Sequence, residues 1–270
     1  MSPVLTAFLV LAAVGAILGV MLAAASRIFA VKTDERCEKI QALLPGANCG
    51  GCGYAGCGAL AEAIVRGEAP TSACKAGGPE TSEKIADVMG KKPEAFVRMR
   101  AQVMCSGSRG KTKRLYEYQG LEDCSAALRA GGGDKACPYG CIGHGSCATA
   151  CAFGAISLVD GVAAVDPDKC RGCGTCVSAC PKGIIKLIPF DAVYWVGCMS
   201  EDKGAQTRTY CEAGCIACRI CEKNCPTGAI SVVGGRAQID YGKCDACGVC
   251  YEKCPRKIIV TSRERVILSV

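Results

Sequence analysis

The sequence predicts an α+β chain: one N-terminal transmembrane helix, a small helical domain built on four cysteines, and two tandem modules that repeat one another. Three observations predict it. No side chain is charged from Met1 through Ser26, 25 of the 270 residues are Cys, and the run Cys-x2-Cys-x2-Cys-x3-Cys-Pro occurs three times in the C-terminal half. A chain of this length builds cores without disulfide staples, so thiols in such number point to metal.

The first element is the anchor, residues 1–30. Leu5 to Ala25 is rich in Leu, Val, Ala and Ile and supplies the roughly 20 apolar residues needed to cross a bilayer core, so residues 3–26 are read as a single membrane span. A cleaved signal peptide is the alternative, but the basic segment that should lead it is missing and the apolar stretch is too long. Arg27 and Lys32 follow directly, and the positive-inside rule then places the rest of the chain in the cytoplasm, where thiols stay reduced. Gly15 and Gly19 form a GxxxG spacing suited to seating another membrane helix.

The second element covers residues 33–92. Helical segments are predicted near Asp34–Leu44, Gly58–Arg66 and Ser82–Met89, stopped by Pro45-Gly46, Gly67 and Gly90. Cys49, Cys52, Cys57 and Cys74 interrupt them within the glycine-rich run Asn48-Cys-Gly-Gly-Cys-Gly-Tyr-Ala-Gly-Cys57. Three close thiols and a remote fourth suit the corners of a [4Fe–4S] cluster, with glycine amides free to donate to sulfur. Gly51, Gly53 and Gly56 also spell GxGxxG, but no strand precedes them and the cysteines share the loop, which argues against a dinucleotide site.

The remainder is an internal repeat. Cys170, Cys173, Cys176 and Cys180 are matched by Cys215, Cys218, Cys221 and Cys225 and by Cys244, Cys247, Cys250 and Cys254, each run ending in Pro; a looser copy, Cys137, Cys141, Cys147 and Cys151, comes first. This is the bacterial ferredoxin pattern, in which the fourth Cys of one run ligates the other run's cluster. The last cysteines of paired runs, Cys151 and Cys180 or Cys225 and Cys254, stand 29 residues apart. Two two-cluster modules are therefore expected at 136–188 and 212–262, separated by linkers at 93–135 and 189–211 and followed by a tail at 263–270. Asp160-Gly161 and Gly234-Gly235 lie between apolar runs and suit two-residue hairpin turns. The expected ligand sets are Cys137/Cys141/Cys147/Cys180, Cys170/Cys173/Cys176/Cys151, Cys215/Cys218/Cys221/Cys254 and Cys244/Cys247/Cys250/Cys225, beside Cys49/Cys52/Cys57/Cys74. Structural zinc is the alternative, but it has no use for crossed runs of this kind.

Twenty cysteines are then assigned, to five [4Fe–4S] clusters. Of the rest, Cys37 sits on a predicted helix and reads as a plain buried thiol. Cys105, Cys124, Cys198 and Cys211 are expected to gather as a sixth cluster or as a pair of close thiols, against the alternative of buried structural cysteines. Val103-Met-Cys105 and Val196-Gly-Cys198 each follow a strand-like stretch, and Cys124 and Cys211 each precede a module.

Other chemistry is excluded. The formal charge of +7 counts every Cys as neutral, and thiolate-held clusters would cancel it. The basic run Arg109, Lys111, Lys113, Arg114 lacks the aromatic residues that single-strand nucleic acid binders interleave with charge, and reads as a solvated loop or a dock for an acidic partner. Gly110-Lys111-Thr112 fails as a phosphate loop because Cys105 stands where a Gly is required. The one His, His144, has no acid or nucleophile marked beside it, and no catalytic residue is expected.

One membrane helix, then GANCGGCGYAGC, then ferredoxin runs in that order resembles the B subunits of Rnf complexes, the ion-translocating ferredoxin:NAD oxidoreductases of bacterial inner membranes, in a longer form with two ferredoxin modules. The resemblance implies an electron-transfer subunit that accepts electrons from soluble reduced ferredoxin and passes them toward membrane and peripheral subunits carrying flavin and NAD, neither of which is expected on this chain. A membrane-tethered polyferredoxin serving another dehydrogenase or hydrogenase is the alternative.

Overall fold

The computed structural model describes residues 3–28 and 34–262. Lys32 and the 263–270 tail lie outside the described residues. The first helix, Pro3–Ile28, has a mean hydropathy of 2.6 over its most apolar stretch, none of it buried, and it is the one described helix long and apolar enough to cross a membrane. Phe8, Leu11 and Val20 stand about 70% exposed along it, which water would penalise and lipid would not.

The small domain packs helices Glu35–Leu43, Cys57–Arg66 and Gly78–Val88 around Ile40, Leu60, Ile64 and Ile85. Asp34 caps the first of them by accepting from the Arg36 amide at 2.9 Å, and Gly67 ends the second in the left-handed region.

In the first repeated module β1 (Met99–Val103), β2 (Ile156–Val159), β3 (Val162–Val165) and β4 (Ile185–Pro189) form two antiparallel ribbons, β1 with β4 and β2 with β3. The second module copies the arrangement with β5 (Tyr194–Val196), β6 (Ile230–Val233), β7 (Arg236–Ile239) and β8 (Ile259–Thr261), pairing β5 with β8 and β6 with β7. The β2–β3 and β6–β7 turns have positive φ at both central residues, 49° and 74° at Asp160-Gly161 and 57° and 80° at Gly234-Gly235, the geometry whose twist matches the flanking strands.

The segments 93–135 and 189–211, expected as linkers, each contribute a strand. β1 and β5 supply the outer partner that closes each module, because β4 and β8 would otherwise present an unpaired edge. Trp195 on β5 lies opposite Val260 and packs with Met104 and Ile188, so the two modules share an apolar seam. Arg100, 2% exposed, sits 5.2 Å from the Trp195 ring and donates to the carbonyls of Phe190 at 3.2 Å and Ala192 at 2.8 Å, which is how a buried guanidinium is tolerated there.

Candidate iron–sulfur sites

The loop carrying Cys49, Cys52 and Cys57 reverses direction through Asn48, Gly50 and Gly53, all at positive φ. The Asn48 side chain accepts from the Cys57 amide at 2.8 Å and pins the loop to the start of the following helix. Burial pushes the Cys74 thiol up; the Gly77 amide acts against this, and the nearby Cys57, Cys52 and Cys49 thiols add to the rise. Cys52 and Cys57 pack against the same core cluster as the buried Cys74.

Each module contains two cavities lined by thiols. In the first, Cys151, Cys170, Cys173 and Cys176 surround one of them. Amides of Ala101 and Ala155 donate to the sulfurs of Cys170 and Cys151, both at 3.4 Å. Burial, with Cys170, Cys173, Cys147 and Cys151 close by, lifts the Cys176 thiol to about 12. In the second module Cys215, Cys218, Cys221 and Cys254 line one cavity and Cys225, Cys244, Cys247 and Cys250 the other. Three members of each of these three sets come from one run and the fourth from its partner run.

The remaining cavity departs from the expected set. Cys141, Cys147 and Cys180 line it together with Cys124, and Cys137 is absent from its wall. Burial raises the Cys147 thiol to about 12, and the thiols adding to that rise are Cys141, Cys124 and Cys180. The cause is a local tether. Cys124 opens the helix Cys124–Gly131, its amide donates to Ser146 Oγ at 2.7 Å, and that hydroxyl donates to the Asp123 carboxylate at 2.7 Å. Ser146 belongs to the Cys run, so Cys124 is bound to the cavity from outside it. Cys137 instead lines a different cavity, together with Cys105 and Cys211.

The spacing holds a signal that points to this. Cys141, Cys147 and Cys151 precede Cys170, Cys176 and Cys180 by 29 residues each, which puts His144, not a cysteine, opposite Cys173. The His144 ring packs at a tilt of 52° against Tyr118 with centroids 4.9 Å apart, and Cys124 brings a fourth thiol to the cavity wall. The structure also parts Cys124 from Cys105, Cys198 and Cys211, the expected companions of a sixth cluster. Cys37 sits half-buried on the helix Glu35–Leu43 and lines none of these cavities.

The donor sets fit an iron–sulfur cubane better than a single ion. All 25 thiols are free. Thiols held apart around a space, with backbone amides aimed at sulfur, are what a four-iron cluster requires.

This fold and these sites define a multi-centre iron–sulfur electron-transfer protein. Residues 44–76 match the family model described as "Putative Fe-S cluster", and residues 139–184 and 214–259 each match a 4Fe-4S dicluster domain. The chain is 44% identical to the B subunit of the ion-translocating oxidoreductase complex of Methanosarcina acetivorans, over 90% of this chain and 92% of that one. It is 43% identical to the B subunit of the Na(+)-translocating ferredoxin:NAD(+) oxidoreductase complex of Acetobacterium woodii, over 87% and 71%, and 39% identical to that of the proton-translocating complex of Clostridium ljungdahlii, over 90% and 87%. The chain belongs to the family of Rnf complex B subunits, and is an electron-transfer component of an ion-translocating oxidoreductase complex.

Proposed function

We propose that this chain takes single electrons from a reduced soluble ferredoxin and relays them toward flavin- and NAD-bearing subunits, with residues 3–26 as its one membrane span and the rest on the cytoplasmic side. Five [4Fe–4S] clusters are assigned to Cys49/Cys52/Cys57/Cys74, Cys151/Cys170/Cys173/Cys176, Cys124/Cys141/Cys147/Cys180, Cys215/Cys218/Cys221/Cys254 and Cys225/Cys244/Cys247/Cys250. Such a cluster, when bound, supplies reversible one-electron transfer without acid, base or nucleophile. The chain's own work is to hold the thiolates, bury them, aim amides at sulfur and set the sites side by side.

The observation that carries the reading is the seam between the small domain and the first module. Gly51 lies so close to the Cys173 carbonyl that a Cβ there would overlap it, and Thr175 Oγ1 donates to the Cys49 carbonyl at 3.1 Å. One ligand set thus abuts the next. In the assembled complex Cys52→Ala is expected to abolish ferredoxin-dependent NAD reduction while the visible and EPR spectra of both modules persist. Unchanged turnover in that variant would remove the small domain from the route.

A further inference from the structure

Four cysteines stay unassigned when the five sets are filled and Cys37 is set aside: Cys105, Cys137, Cys198 and Cys211. All four line a single cavity between the two modules. Its empty space is about 320 Å³, as it is for the cavity that Cys215, Cys218, Cys221 and Cys254 line. None of the four lies within the two segments that match dicluster domains. We propose that Cys105, Cys137, Cys198 and Cys211 ligate a sixth [4Fe–4S] cluster that joins the two modules, an inference that rests on the iron–sulfur reading above.

The wall of this cavity is built as the other walls are. The Cys141 amide donates to Cys105 Sγ at 3.4 Å, and the amides of Cys215 and Ser200 donate to Cys198 Sγ at 3.2 and 3.5 Å. Thr112 Oγ1 lies 3.3 Å from Cys211 Sγ. Hydrogen bonds to sulfur favour the thiolate and tune its cluster. Gly107 has no room for a side chain: a Cβ there would overlap Thr112 Oγ1 and lie 3.6 Å from the sulfurs of both Cys105 and Cys211. Cys198 and Cys211 are 8% and 7% exposed, and Cys105 and Cys137 are half-buried.

Charge is arranged to match. Lys135, 7% exposed, donates to the carbonyls of Gly107 and Gly161, both at 2.9 Å, which places a buried cation beside the loop that backs Cys105 and Cys211. The basic run Arg109–Arg114 folds over the same face, tied down by the Lys113 amide on the Tyr210 carbonyl at 2.8 Å and the Glu212 amide on the Lys111 carbonyl at 2.8 Å. A site holding net negative charge is stabilised by such neighbours.

Position gives the site its meaning. Its sulfur acceptors bond to the amides of Cys141 and Cys215, one a ligand in each module, so it stands between the Cys124/Cys141/Cys147/Cys180 set and the Cys215/Cys218/Cys221/Cys254 set. It thereby adjoins a ligand set in each module through the Cys141 and Cys215 amides, while the small domain adjoins the first module at Gly51 and Cys173.

The test is iron, sulfide and zinc analysis with Mössbauer and EPR spectroscopy on the anaerobically purified full-length chain. About 24 iron atoms per chain are expected, and about 20, with about four lost, in Cys198→Ala/Cys211→Ala. Thr112→Val, which removes only a hydroxyl, is expected to keep all the iron and shift the EPR signal and reduction potential of one cluster. About 20 irons in the parent with no change in the double variant would overturn the sixth site and leave the five-cluster reading standing. One zinc per chain, lost in the double variant, would also overturn it. A parent without iron would overturn both.

Discussion

The Thr175 hydroxyl donates a 3.1 Å hydrogen bond to the Cys49 carbonyl across 126 residues of sequence, and beside it Gly51 rests against the Cys173 carbonyl. The contact is backbone against backbone, so neither side can yield to a new methyl. Gly51→Ala is expected to weaken the docking of the small domain by about 1–3 kcal/mol, and Thr175→Val by about 1 kcal/mol. Ferredoxin-dependent NAD reduction should fall in that order of severity with iron content unchanged. Full activity in Gly51→Ala would show that the domain works from another position.

The Asp123–Ser146–Cys124 tether should be visible in acid. The Ser146 hydroxyl and the Ala126 amide hold the Asp123 carboxyl below its ordinary range. A carboxylate with a lowered folded-state pKa contributes stability that is complete above its unfolded value, near 4, and fades as pH falls through the folded value. Below about pH 4 one cluster is expected to bleach ahead of the others. Asp123→Asn keeps the helix cap and removes the charge, so it should lose that pH dependence. Ser146→Ala should release Cys124 at all pH values, read as iron loss confined to one site. Equal acid sensitivity in parent and Asp123→Asn would argue that the tether does not govern this cluster.

The anchor makes a simple prediction. Expressed without partner subunits, the full chain should sediment with membranes, and a chain lacking residues 3–28 should be soluble with its iron complement intact, since no part of that helix's apolar stretch is buried. Loss of iron on deletion would tie the helix to the folding of the soluble part.

Sequence spacing carried the GANCGGCGYAGC loop, the three complete cysteine runs and both two-residue hairpin turns, because each is a local device whose chemistry demands fixed residues at fixed intervals. It grouped Cys137 with Cys141, Cys147 and Cys180, where the cavity wall has Cys124, because Cys124 is brought there from outside the run by a tertiary bond, that of its amide to Ser146, and no interval encodes it. β1 and β5 read as strand-like, yet their pairing with β4 and β8 bridges over 80 and over 60 residues, beyond the reach of any local pattern.

The repeats differ in one way that sequence alone shows and structure explains. Gly172 in the first module corresponds to Ala217 and Ala246 in the second, and all three have left-handed backbones, with φ of 64°, 53° and 59°. At Gly172 the requirement is twofold, since a Cβ would also overlap the Met99 carbonyl on β1. Gly172→Ala is therefore expected to cost more than the about 1–2 kcal/mol of a left-handed alanine, lowering the temperature at which the first module's clusters bleach. Ala217→Gly relieves that conformational cost but gains about 0.5–1 kcal/mol of unfolded-chain entropy, so the second module should stay within about 1 kcal/mol of the parent. Thermal bleaching followed by EPR separates the two, and an undisturbed Gly172→Ala would mean that β1 does not press on the run at Met99.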